Sequence, residues 1–69
     1  MDQDITPDIQ RDIIARRIAL WRNTLFEATI DLRVANRFQD EELINIAKAN
    51  ITRAEHMIAG YQQELDALT

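Results

Sequence analysis

Residues 28–54 read ATIDLRVANRFQDEELINIAKANITRA, and this stretch decides the fold. A repeat of apolar residues at intervals of four and three runs as far as Ala35, stops, and resumes at Ile44 in a new helical phase. Between the two repeats lie Asp40, Glu41 and Glu42, and acidic residues favour the positive end of a helix dipole. The pattern predicts two helices joined by a short turn at about residues 38–40, although the turn contains neither glycine nor proline.

The helix bounds follow from capping signals at the start of the chain. Thr6 can cap a free amide, Pro7 suits the first helical position, and Asp8 complements the helix dipole. We expect the first helix at about residues 7–38 and the second at about residues 40–68. Residues 1–5 should be frayed, and residues 1–69 should form one helical-hairpin domain.

Both helices carry an apolar seam with the heptad spacing of coiled coils. The seam consists of fifteen residues: Ile14, Ile18, Trp21, Leu25, Ala28, Leu32, Ala35, Ile44, Ala47, Ile51, Ala54, Ile58, Tyr61, Leu65 and Leu68. The sequence therefore predicts an all-α fold, an antiparallel two-helix hairpin with coiled-coil-like packing.

The two seams also predict a register. They match throughout when the numbers of paired residues add to 79, as for Leu25 with Ala54. Near the turn each layer joins a small residue to a large one, which a packed core requires. Toward the open end large residues meet large ones, such as Trp21 and Ile58. We expect the hairpin to be tight at the turn and wider at its open end.

The first helix has a second apolar face that a single partner helix does not cover. This outer face consists of Ile9, Ile13, Leu20, Phe26, Ile30, Val34 and Phe38. The second helix has one stripe, widened by Ile46 and Met57, and a polar back. The outer face predicts a protein interface and assembly into a four-helix bundle or larger helical oligomer. The alternative is that the helices lean over one another and leave these residues half-exposed.

Composition excludes several kinds of chemistry. The chain has no cysteine or serine, no glycine-rich loop, and a single histidine, His56, on the back of the second helix. We therefore expect no enzyme activity, no cofactor and no metal site. The net charge of −4 opposes nucleic-acid binding, the N-terminus is acidic, and the longest apolar run is residues 18–21. The expectation is a soluble, cytoplasmic protein that makes no membrane contact.

Three arginines suggest an alternative function. Arg11, Arg22 and Arg33 are eleven residues apart and share one side of a helix, with Arg37 nearby. In architecture alone the chain resembles plasmid copy-number regulators of the Rop type, dimeric helical hairpins that bind paired RNA loops. No motif of that family can be matched residue by residue, and a basic stripe should be net positive. We expect Arg11 and Arg22 to meet acids of the second helix instead.

These observations favour a non-catalytic protein–protein interaction module that associates with itself or with another protein. It would act as a small structural or assembly component, or as an adaptor or inhibitor of a partner. As a short, acidic, cysteine-free hairpin, the chain is similar to many phage-encoded accessory proteins. Gly60, in mid-helix, either admits a close partner helix or is a tolerated surface glycine.

Overall fold

The computed structural model describes residues 5–68, which form an all-helical hairpin. Helix α1 runs over Pro7–Phe38 and helix α2 over Glu41–Ala67, and the two pack against each other along their length. The molecule measures 52 × 20 × 14 Å. Because a helix with its side chains is about 10–12 Å across, the shortest dimension corresponds to a single layer of helices.

Helix α1 begins at a side-chain cap. The hydroxyl of Thr6 accepts a hydrogen bond from the amide of Ile9 at 3.3 Å, and Pro7 occupies the first turn, where no amide partner is needed. Asp8 adds negative charge at the positive end of the dipole. Residues 1–5 were expected to be frayed. Residues 1–4 lie outside the described part of the chain, and residue 5 precedes the helix.

The turn reverses the chain in two residues. Gln39 adopts a left-handed conformation, with φ 54° and ψ 37°, and its amide donates to the carbonyl of Asn36 at 3.1 Å. The amide of Asp40 donates to the carbonyl of Ala35 at 3.2 Å, and its carboxylate accepts from the amide of Leu43 at 3.1 Å. One residue thus ends α1 while the next caps α2. Glycine adopts this backbone conformation most readily, so a glutamine here leaves no turn signal in the sequence.

Two contacts between the helices agree with the expected register. Near the open end a guanidinium nitrogen of Arg11 donates to the carbonyl of Leu68 at 3.5 Å. Arg17 donates through Nε to the hydroxyl of Tyr61 at 3.2 Å. The numbers of these pairs add to 79 and 78.

The enclosed core is small and lies mainly in the turn half of the hairpin. Within residues 5–68, the side chains less than a tenth exposed are those of Ile18, Ala28, Ala35, Ala47 and Ala54. The ten remaining seam residues are half-buried. The seam therefore lies between the helices, but two helices alone do not enclose its large side chains.

Candidate functional site

Large apolar side chains are exposed on both helices and at Ile5, which precedes α1. In the described residues they are Ile5, Ile9, Ile13, Leu20, Phe26, Ile30, Val34, Phe38, Leu43 and Ile46, with exposed fractions from 38% to 78%. All seven residues of the expected outer face of α1 belong to this group. The group also contains Leu43 and Ile46 of α2, which brings the second helix into the exposed apolar surface.

An apolar depression lies between the helices next to the turn. Val34 of α1 faces it together with Leu43 and Ile46 of α2, and Ala35 and Ala47 line it as well. Its volume is about 250 Å³. The side chain of Ile46, expected to widen the seam, is half exposed in this depression. Both helices therefore contribute to one apolar surface at this end of the hairpin.

A more polar depression of about 330 Å³ continues from the first one toward the middle of the hairpin. Asp31 and Asn50 line both depressions, and Glu27, Trp21 and Arg53 line only the second. The guanidinium carbon of Arg53 lies 5.6 Å from the centroid of the Trp21 ring, within the range of a cation–π contact. The middle of the surface thus carries charges of both signs.

A third depression lies near the open end, lined by Met57, Gly60, Tyr61 and Glu64 of α2 together with His56. Met57 and Gly60 lie one heptad after Asn50 and Arg53, so they occupy the same flank of α2. The three depressions therefore follow one flank of the hairpin, which we call the groove side.

Heptad spacing assigns the outer face of α1 to three directions. Leu20 and Ile13 precede Val34 by two and three heptads, so they lie on the groove side, and Phe38 lies one turn beyond Val34. Ile9 and Ile30 lie along the outer edge of α1, away from α2. Phe26 lies on the flank opposite the groove side. The seven residues therefore do not form one surface.

The flank opposite the groove side, called here the opposite side, is mainly polar. Its residues on the two helices are Asp8, Asp12, Ala15, Ala19, Arg22, Phe26, Thr29, Arg33, Asn36, Glu41, Asn45, Lys48, Thr52, Glu55, Ala59, Gln62 and Asp66. Phe26 is the one large apolar side chain among them.

Leu43 is the residue of the groove side that the sequence analysis missed. It stands next to Ile44, the first seam residue of α2, and so looks like part of the seam itself. Its spacing carries the signal, because it precedes Asn50 and Met57 by one and two heptads. Leu43 and Ile46 thus form a second apolar row beside Ile44 and Ala47.

The arginines are arranged differently from the expectation. Arg11 pairs with Asp8 of its own helix and with the carbonyl of Leu68, rather than with an acid of α2. A backbone carbonyl at the end of α2 carries the partial negative charge that attracts it. Arg22 and Arg33 are exposed on the opposite side, where acidic residues of both helices lie among them.

Threonine hydroxyls, the histidine and the carboxylates are the side chains that could take part in catalysis or bind a metal ion. The hydroxyls of Thr24 and Thr29 donate to the carbonyls of Leu20 and Leu25, four residues earlier, at 3.2 and 2.8 Å. His56 is exposed. Within residues 5–68, histidine and acidic side chains do not form a group of three or more that could hold a metal ion. Neither helix, over the same residues, has a stretch long and apolar enough to cross a membrane.

Comparison with known protein families, with curated proteins and with solved structures gives no match to this chain.

Proposed function

We propose that this chain is a non-catalytic protein–protein interaction module that associates with itself. In that role it serves as a small structural or assembly component, or as an adaptor or inhibitor whose surface covers part of a partner. Its working surface is the groove side, whose main apolar contributors are Leu20, Val34 and Phe38 of α1 together with Leu43 and Ile46 of α2.

The observation that carries the proposal is the imbalance between enclosed and exposed apolar side chains. The described residues enclose one isoleucine and four alanines, whereas ten large apolar side chains are more than a third exposed. Large side chains contribute most of the hydrophobic stabilisation of a fold, about 1.5–3 kcal/mol each when fully buried. A second layer of helices would bury those that lie on one side of the hairpin, and a single layer does not.

Light scattering coupled to gel filtration tests the proposal. The expected result is a dimer or larger species at micromolar concentration that loses helicity or dissociates on dilution, because obligate oligomers often lack a stable monomer. Circular dichroism on the same dilution series reports the helicity. A fully helical monomer that persists over the whole series would overturn the proposal.

Titration with stem-loop RNA separates this proposal from an RNA-binding regulator. With a net charge of −4, affinity should not exceed the non-specific range of about 10⁻⁴ to 10⁻⁶ M. Submicromolar binding that weakens with salt would favour the RNA-binding function and would identify Arg22 and Arg33 as the residues to substitute.

A further inference from the structure

We propose that the groove side binds the groove side of a second copy of this chain, with a two-fold axis parallel to the helices and both turns at the same end. This inference rests on the proposed self-association and specifies its geometry. In this arrangement α1 of each copy packs against α2 of the other, and all neighbouring helices in the four-helix bundle are antiparallel.

The register between the copies follows from the register within one copy. Rotation about an axis parallel to the helices leaves the height of every residue along the bundle unchanged. Residues of α1 and α2 that are level within a hairpin are therefore level between hairpins. Val34 and Ile46, which line one depression, have numbers that add to 80. On the groove side, a residue of α1 in one copy would therefore meet the residue of α2 in the other copy for which the two residue numbers add to 80 or 81.

Near the turn the proposed layers are apolar on both sides. Val34 of one copy is level with Ile46 of the other, and Phe38 is level with Leu43. The exposed fractions of these side chains are 41%, 50%, 78% and 50%. Each layer occurs twice because of the two-fold symmetry. The four most exposed large apolar side chains near the turn therefore cover one another.

In the middle and toward the open end, the proposed layers join opposite charges. Glu27 is level with Arg53 of the second copy, and Arg17 is level with Glu64. Among the described residues Glu27 and Glu64 have no ion-pair or hydrogen-bond partner within their own chain. Both arginines lie against aromatic rings of their own chain at 5.6–5.7 Å, so their positive charge is held at this surface. Four intermolecular ion pairs result.

Two further layers join large residues to small ones. Leu20 is level with Gly60, and Ile13 is level with Ala67. A Cβ built on Gly60 has no neighbour within 4 Å in its own chain, so a second copy has open space there. A large side chain opposite a small one is the interdigitation that packed helices require. The layer of Leu20 and Gly60 explains why a glycine stands in the middle of α2.

A two-fold axis perpendicular to the helices, with the turns at opposite ends, fits less well. At full overlap it sets α1 against α1 and α2 against α2. Leu20 then becomes level with Glu27 and Ile46 level with Glu64, so apolar side chains face carboxylates. The same arrangement also sets Ile13 level with Val34 and Arg17 level with Asp31, so the layers that join apolar side chains to carboxylates distinguish the two arrangements. The arrangement with the turns together contains no such layer on the groove side.

Single cysteine substitutions test this geometry, because the native chain has no cysteine. Val34→Cys and Ile46→Cys proteins are prepared separately, mixed, unfolded and refolded together, and oxidised with a glutathione buffer. A disulfide requires Cα atoms about 4.4–6.8 Å apart, which level residues of packed helices can satisfy. We expect a disulfide-linked species in the mixture and little or none in either protein alone. A mixture of Val34→Cys with Ile13→Cys is the control, because those positions meet only when the turns lie at opposite ends.

The outcomes separate the geometry from self-association itself. Cross-linking in the control mixture, or an assembled protein in which neither mixture cross-links, would overturn the geometry and leave the proposed function standing. A protein that does not assemble at all would remove both. Circular dichroism on each variant verifies that the hairpin is intact.

Charge reversal gives an independent measurement. One variant carries Arg17→Glu with Glu27→Arg on α1, and the other carries Arg53→Glu with Glu64→Arg on α2, so net charge is unchanged in both. Each variant alone places like charges opposite one another in the proposed dimer, whereas an equal mixture restores opposite charges in every layer. We expect weak self-association of each variant and strong association of the mixture, measured by light scattering. Equal assembly of the separate variants and the mixture would overturn the proposed pairing.

Discussion

The groove side of the hairpin exposes six large apolar side chains, whereas the opposite side exposes one, that of Phe26. The six are Ile13, Leu20, Val34, Phe38, Leu43 and Ile46. Both sides flank the same seam, and both are open to solvent in a single hairpin. Only one of them is apolar enough to be stabilised by a partner. A molecule with one self-complementary side forms a closed pair, whereas two such sides would allow continued addition of copies. The difference between the sides therefore favours a finite assembly.

The comparison of the two sides assumes that the seam stabilises the hairpin and that neither the groove side nor the opposite side does so. Leu25→Arg should have the largest effect of any change proposed here, because Leu25 is level with Ala54, which is completely enclosed. An unpaired charge in that layer costs several kcal/mol, a large part of the stability of a small domain. Helicity measured by circular dichroism should collapse.

The matched control for Leu25→Arg is Asn23→Arg, two residues earlier on the exposed outer edge of α1. This variant should retain its helicity and its thermal midpoint. Equal loss of helicity in both variants would mean that the seam is not the source of the fold.

The fold could be predicted from the sequence because helical periodicity reports directly on the seam. Spacing alone indicated two packed helices, and the structure confirms them. The turn was harder to locate, since Gln39 adopts a left-handed conformation without the usual glycine. The groove side could not be assigned from either helix alone, because Val34 and Ile46 lie on different helices and line one depression only where the two helices meet. Leu43 was overlooked for a different reason, because it stands next to Ile44, the first seam residue of α2.

The second prediction substitutes one residue on each side of the hairpin. Ile46→Glu places a carboxylate among apolar residues at both symmetry-related contacts, and we expect the dissociation constant to rise at least about 100-fold, or roughly 3 kcal/mol. Phe26→Glu introduces the same group on the opposite side and should leave the dissociation constant unchanged. Sedimentation equilibrium or light scattering measures both. If Phe26→Glu weakens assembly as much as Ile46→Glu, the two sides do not differ in function.

Gly60→Ala should have the smallest effect. The substitution is informative because its effect on stability should differ between the single hairpin and the assembled protein. In a lone hairpin the new methyl group meets open space, and alanine should stabilise the helix by about 1 kcal/mol relative to glycine. In the proposed dimer the same methyl group approaches Leu20 of the second copy, where added volume costs packing energy. In the Ile46→Glu background, at concentrations where light scattering shows a monomer and circular dichroism shows that it is helical, Gly60→Ala should therefore raise the free energy of unfolding. In the assembled protein the same substitution should raise it less, or lower it. Urea denaturation in both backgrounds measures the difference. An equal gain of about 1 kcal/mol in both would place Gly60 on a surface that no partner covers, and the contact with Leu20 would have to be abandoned.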